Sequence, residues 1–164
     1  MRIDNIMFFL IIGGSILSVL IFIRKKDIKK AFFATLLAQT FTWPMGLLFT
    51  QLNRIAYPVR LFPKAVSSSF LNGYIMNPII FAIYYTHFPI NLNVIYRCLY
   101  TLFISMIPTL IELCENKYTN LIKYKSWHWY YTWLLILITY FILRKYLDWF
   151  FKNTSQKGVE KDET

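Results

Sequence analysis

The sequence predicts an all-α fold, an integral membrane bundle of about five transmembrane helices, and three observations predict it. Residues 6–23 are eighteen consecutive uncharged positions, thirteen of them Ile, Leu, Phe or Val, closed by Arg24, Lys25 and Lys26. At ~1.5 Å per helical residue that run is about 27 Å long, close to the hydrocarbon thickness of a bilayer. The chain is 57% hydrophobic and 20% aromatic, against about 45–50% apolar in an ordinary soluble domain. Finally, the apolar residues fall in blocks of about twenty, with the cations between and just beyond them.

The first span, 6–23, carries a small-residue patch of Gly13, Gly14, Ser15 and Ser18, of the kind that permits close helix approach. It has a charged start at Arg2 but no small-x-small cleavage site after it, so it reads as a retained anchor. A basic loop follows, and then a second span over 31–52 with Pro44 inside it. The connector 53–69 sets Arg54, Arg60 and Lys64 among aromatics around Pro58 and Pro63. Two prolines five apart rule out a regular helix, and the alternation suits a segment lying along the headgroups. The third span is 70–88 with Pro78, and the fourth is 94–113 with Arg97 near its start and Pro108 inside. A polar loop leads to the aromatic run 127–131, and the fifth span, 129–143, ends at Arg144 and Lys145. Trp and Tyr at both its ends fit interfacial belts. Residues 153–164 are polar and charged without an apolar pattern, which predicts a disordered tail.

The net charge of +10 comes from 18 Lys and Arg against 8 Asp and Glu. Their placement between spans points to anionic headgroups and to threading, not to nucleic acid. With five spans, one face collects Arg24, Lys25, Lys26, Lys29, Lys30, Arg97, Arg144, Lys145 and Lys152. The other collects Arg2, Arg54, Arg60, Lys64, Lys117, Lys123 and Lys125. The positive-inside rule then places the N-terminus outside and the C-terminus in the cytoplasm of a multi-pass cell-membrane protein.

Several chemistries lack their residues. Cys98 and Cys114 fall on nearly opposite sides of one helix, about 24 Å apart along it, too far to bridge. His87 and His128 belong to opposite membrane faces, about 30 Å apart, and cannot share one metal. No His-Glu-x-x-His, paired Cys-x-x-Cys, Gly-rich phosphate loop or Gly-x-Ser-x-Gly elbow occurs. Ser105 has no histidine at its depth to activate it. The sequence therefore predicts no catalytic residue, no metal and no cofactor.

The candidate site is an intramembrane polar one. Arg97, Thr101, Ser105, Thr109 and Glu112 recur at steps of four, four, four and three, and so share one helical face. Such a stripe must face protein or water. The second span has a seam of Thr35, Gln39, Thr42, Gly46 and Thr50, and the third has Ser69, Gly73 and Asn77. Glu112 is expected to point inward with a polar partner from another span. Arg97, near a span end, can snorkel to the interface. Glu112 and Glu115 can share a face, where two carboxylates can bind a cation or share a proton, although such pairs at helix ends are more often solvated, with Lys117 close by for balance.

The loop Tyr118, Thr119, Asn120, Leu121, Ile122, Lys123, Tyr124, the closing Glu112, and Trp127 with Trp129 carry a resemblance. So do the turns Arg60, Leu61, Phe62, Pro63 and His87, Phe88, Pro89. Here the chain resembles a family of small, uncharacterised multi-pass membrane proteins common in spore-forming Gram-positive bacteria. The resemblance covers about half the chain and implies a cytoplasmic-membrane protein of four or five spans. It implies no activity, cofactor or catalytic residue.

Three functions fit these features. The first is a non-catalytic subunit, scaffold or accessory factor working through helix packing, alone as a homo-oligomer or with a partner membrane protein. The second is a small oligomeric transporter or channel subunit using the seams around Gln39, Asn77 and Glu112. The third is a lipid-modifying enzyme whose Arg54, Arg60 and Lys64 hold headgroup phosphates. A closed core behind the fourth span favours the first, and a cavity containing Glu112 favours the second.

Overall fold

A computed structural model describes residues 3–162, with side chains for 3–152. The described residues form an all-α bundle of five helices with one two-residue strand pair. The helices are α1 (Ile3–Phe22), α2 (Ile28–Gln51), α3 (Asn77–Thr86), α4 (Val94–Tyr118) and α5 (Trp129–Asp162). The segments Ile3–Phe22, Lys25–Gln51 and Val94–Tyr118 are long and apolar enough to cross a membrane. The side chains of the polar tail expected over 153–164 lie outside the described residues.

Helix α2 begins three residues earlier than expected, directly after a single 3₁₀ turn, Lys25–Asp27, that Arg24 closes by pairing with Asp27 at 3.5 Å. Its buried face is Ala31, Ala34 and Ala38, spaced three and four apart. Small side chains there let α3 come close, so that packing rather than bulk holds the pair. Against this face sit Phe81, Ala82 and Tyr84 of α3, and Tyr140, Leu143 and Leu147 of α5. Outward, α1, α2, α4 and α5 keep large apolar side chains exposed, among them Phe9, Leu20, Phe32, Phe103, Leu134 and Phe141, while α3 is enclosed among them. A bundle that buries alanines and shows Phe and Leu is packed for an apolar solvent.

The third span is not one regular helix. Leu71–Met76 is π-helical and passes straight into α3. Pro78 is the cause: it has no N–H to give, and its ring crowds the carbonyl four residues back, that of Tyr74. Widening the preceding turn relieves the clash, and the second span supplies the missing donors. Gln39 Nε2 donates to the Tyr74 carbonyl at 2.9 Å, and Thr42 Oγ1 to the Gly73 carbonyl at 2.5 Å. In an apolar surrounding those freed carbonyls need such partners. The close approach also requires Gly73, because a Cβ there would lie 3.3 Å from Trp43 Cα.

The two ends of the bundle differ. At one, Asn53 ends α2 with φ 56°, a left-handed conformation that asparagine tolerates. The chain then forms β1 (Ile55–Ala56), antiparallel to β2 (Lys123–Tyr124) in the loop after α4. Asp4 at the start of α1 accepts from the Asn120 backbone at 2.7 Å, which ties the same end together. At the other end, the Arg144 guanidinium lies 3.3 Å from the centre of the Phe88 ring, and Phe22 meets His87 edge to face. The small-residue patch of α1 splits: Ser15 is buried, whereas a Cβ on Gly13 or Gly14 would meet nothing within 4 Å. Among the described residues, then, the two glycines serve no helix contact.

Candidate functional site: a buried dicarboxylate cavity

Helix α4 presents Ser105, Pro108, Thr109, Glu112 and Glu115 as its buried residues, one continuous inward stripe. Most of it is consumed by packing. Thr101 Oγ1 donates back to the Arg97 carbonyl and lies 3.1 Å from Tyr84 Oη. Ser105 Oγ accepts from Trp133 Nε1 at 3.1 Å, and Thr109 bonds the Ser105 carbonyl. These residues join helices or cap their own backbone, as hydroxyls in apolar surroundings commonly do. Gln39 is likewise spent on the Tyr74 carbonyl. Arg97 turns back to the carbonyls of Ile90 and Leu92 and so fixes the turn before α4.

Glu112 and Asn77 are the two residues of the six-membered candidate set that meet at a cavity. It measures ≈ 280 Å³ and lies among α2, the π-helical turn, α3, α4 and α5. Glu112 is 7% exposed, and its Oε2 accepts from Tyr124 Oη at 3.3 Å. The side chains of Asn77 and Thr132 reach the same carboxylate. Thr132 is itself held by Trp127 Nε1 at 2.9 Å, so α5 and the β2 loop are both fastened to the Glu112 end of α4.

Glu115, one turn on, is fully buried at 0% exposure. This corrects the expectation of a solvated pair balanced by Lys117, whose ammonium instead lies 5.3 Å over the Tyr118 ring. The physical reason is the β1–β2 pairing. It folds the connector and the loop over the end of α4, so that Tyr57, Leu121 and Ile122 are buried there. Glu115 Oε2 accepts from Asn72 Nδ2 at 2.5 Å. Glu115 Oε1, Asn72 Oδ1 and Asn77 Oδ1 are buried without a hydrogen-bond partner.

The connector and loop feel these acids. Burial raises the Tyr57 phenol well above its usual value, and the charges of Glu112 and Glu115 raise it further. Tyr124 is raised by burial and then by Glu112, which keeps it a neutral donor to that carboxylate.

The proposed headgroup cations lie at this same end and differ among themselves. Arg54 donates to Ser126 Oγ at 3.2 Å, and Arg60 closes its own turn through the carbonyls of Tyr57 and Pro63. Lys64 is exposed.

Sequence reasoning missed Asn72, Tyr57, Tyr124, Thr132 and Trp127. Asn72 and Asn77 are five apart, a spacing that faces one way only in a π-helix; Pro78 just after them was the available signal. The other four arrive by long-range folding of the connector and loop. Among the described residues, no three His, Cys, Asp or Glu gather in a metal-binding cluster. No protein-family model, curated protein or solved structure matches this chain.

Proposed function

We propose that this chain is a multi-pass cell-membrane protein that carries a small solute through the cavity under Glu112. The single observation behind the reading is a buried carboxylate lining a space of ≈ 280 Å³ instead of a closed core. An ionisable side chain within a membrane is costly and is retained where it handles a substrate, an ion or a proton. A scaffold could fill the same volume with leucine and be better packed for it.

The membrane reading draws on three apolar helices of spanning length and on the exposed apolar faces of α1, α2, α4 and α5. The N-terminus is outside and the C-terminus cytoplasmic, with the basic stretch 24–30 inside. The exposed cysteines report this without mutation, since Cys98 lies near the Arg144 end and Cys114 near the β1–β2 end. A membrane-impermeant maleimide added to intact cells should label Cys114 and spare Cys98. The reverse pattern inverts the orientation. The affinity with small membrane proteins of spore-forming bacteria, and assembly into a homo-oligomer that completes the pathway, belong to the same proposal. So does contact of Arg54 and Lys64 with anionic headgroups.

Transport is tested with the full chain in lipid vesicles holding a pH dye, challenged with a panel of small solutes. A solute-dependent pH signal that Glu112→Gln abolishes without lowering the melting temperature is the expected result. Silence of wild type for every solute, with Glu112→Gln harmless and Glu112→Leu destabilising, would return the chain to the scaffold class.

A further inference from the structure

We infer that the cavity takes an amphipathic organic ammonium ion, with its charged nitrogen against Glu112, Asn72 and Asn77, Glu115 standing behind Asn72, and its apolar body toward α2 and α5. The inference rests on the carrier reading and names its substrate class. It starts from a mismatch between donors and acceptors. At the α4 side, Glu112 and Glu115 bring two carboxylates to positions three apart on one helix face. Asn72 supplies the independent sign of a ligand. It is 3% exposed and lines the cavity; its Nδ2 is committed to Glu115, and its Oδ1 has no partner. Glu115 Oε1 and Asn77 Oδ1 are buried and unpartnered as well. All three orphaned atoms are acceptors. Buried acceptors left unmade are costly, and the cluster is completed by a species that brings N–H donors and positive charge together.

The shape of the space decides which cation. The polar lining is Glu112, Asn72, Asn77, Thr132 and Tyr57, with the hydroxyls of Thr42, Ser69 and Thr139, and Glu112 is its one carboxylate. The rest is apolar, chiefly Phe41, Met45, Phe49, Ile138 and Ile142. A bare sodium or potassium ion needs oxygens all round it and gains nothing from so much apolar surface. A substituted ammonium needs them on one side and an apolar or aromatic surface on the other. Phe49 and Trp127, with ring centres 4.5 Å apart, offer π faces at that boundary. A volume of ≈ 280 Å³ accommodates a single-ring amine.

The route in is lateral. Phe41 and Met45 on α2, and Ile138 and Ile142 on α5, line the cavity and are at the same time exposed on the bundle's outer face. The cleft between α2 and α5 therefore faces the apolar solvent, where an amphipathic amine already partitions. A water-borne inorganic ion would find no such path there.

The test is calorimetric titration of phenethylammonium chloride into the full chain in zwitterionic nanodiscs, with empty nanodiscs as baseline. 2-Phenylethanol is the uncharged isostere, and sodium and potassium chloride are the inorganic arms. Saturable binding of the amine, with none of the alcohol, is the expected result. Glu112→Gln should weaken it about tenfold or more, the loss of a charge-assisted contact, and Glu115→Gln, acting through Asn72, should weaken it less, while the melting temperature stays at or above wild type. Quenching of Trp127 fluorescence by the amine gives a second reading on unmutated protein. Equal binding of amine and alcohol, or amine binding indifferent to both substitutions, overturns the inference. Sodium or potassium binding that both substitutions abolish, without amine binding, overturns it while leaving a carrier at Glu112 standing. Absence of any binding, together with silent vesicles, removes the carrier reading as well.

Discussion

The two ends of the bundle are built from opposite materials. At the Arg144 end, Tyr84 is surrounded by Phe81, Phe88, Tyr100 and Tyr140, with ring centres 4.9 to 5.8 Å apart. Rings at such spacing fill volume and hold one another in place. At the β1–β2 end, Glu112 and two asparagines line an open space with Glu115 bonded behind Asn72, and three oxygens of this cluster lack partners. The aromatic end also borders a cavity, of ≈ 530 Å³, and leaves the Tyr140 hydroxyl without a partner. The difference lies in the chemistry: rings and one hydroxyl at the first, a carboxylate and three orphaned acceptor oxygens gathered at the second, and that concentration of unmet acceptors is how the site differs from the core.

The contrast can be broken first at the aromatic end. Phe81 is fully buried in the α2–α3–α5 core. Phe81→Ala should cost roughly 3 kcal/mol or more, read as a large drop in melting temperature in detergent. A drop as small as that of an exposed residue would mean the aromatic cluster carries no stability.

The glycines give a graded second test. At Gly73 an added methyl meets the Trp43 backbone at 3.3 Å, whereas at Gly46 it meets Ser68 at 3.5 Å and at Gly13 nothing within 4 Å. Gly73→Ala should destabilise by about 1–2 kcal/mol because backbone must move. Gly46→Ala and Gly13→Ala should change stability little. Equal effects at Gly73 and Gly13 would remove the close α2–α3 approach from the account.

At the cavity the sign should reverse. Glu115→Gln keeps an oxygen for Asn72 Nδ2 and adds N–H donors beside orphaned acceptors. Stability should therefore rise by about 1 kcal/mol while ligand binding falls, the trade expected of a functional group. A fall in melting temperature instead would mark Glu115 as structural.

The smallest effect is alkaline. Burial and two nearby carboxylates raise the Tyr57 phenol above its ordinary value of 10.0, so the folded chain keeps this proton longer than the unfolded one. The stability it contributes is full below pH about 10 and is lost as pH rises toward the folded value. Tyr57→Phe should make the melting temperature less sensitive between about pH 10 and 11, by under about 1 kcal/mol. An unchanged alkaline slope would show that Tyr57 is not enclosed by this end.

The same contrast separates what the sequence revealed from what it concealed. Hydropathy and charge located all five helices, because apolar length and flanking bases act locally. Helical spacing placed Ser105, Thr109 and Glu112 on one buried face for the same reason. Pro78 was visible, but its consequence, a π-turn that swings Asn72 onto the face of Asn77, depended on Gln39 and Thr42 arriving from α2. Glu115 was read as solvated because the loop that covers it pairs with a strand about seventy residues earlier in the chain. Nothing local to Glu115 encodes that pairing.

Glu112 at the β1–β2 end faces a ligand-sized space open to the bilayer, and one labelling experiment addresses this directly. Dicyclohexylcarbodiimide, an apolar reagent for protonated carboxyls, is added to the full chain in nanodiscs, and the adducts are located by mass spectrometry. An adduct is expected on Glu112, lost when phenethylammonium is present, with exposed Asp148 at the other end unaffected by the amine. Absence of an adduct on Glu112, or labelling that the amine does not touch, would contradict a ligand space at this acid.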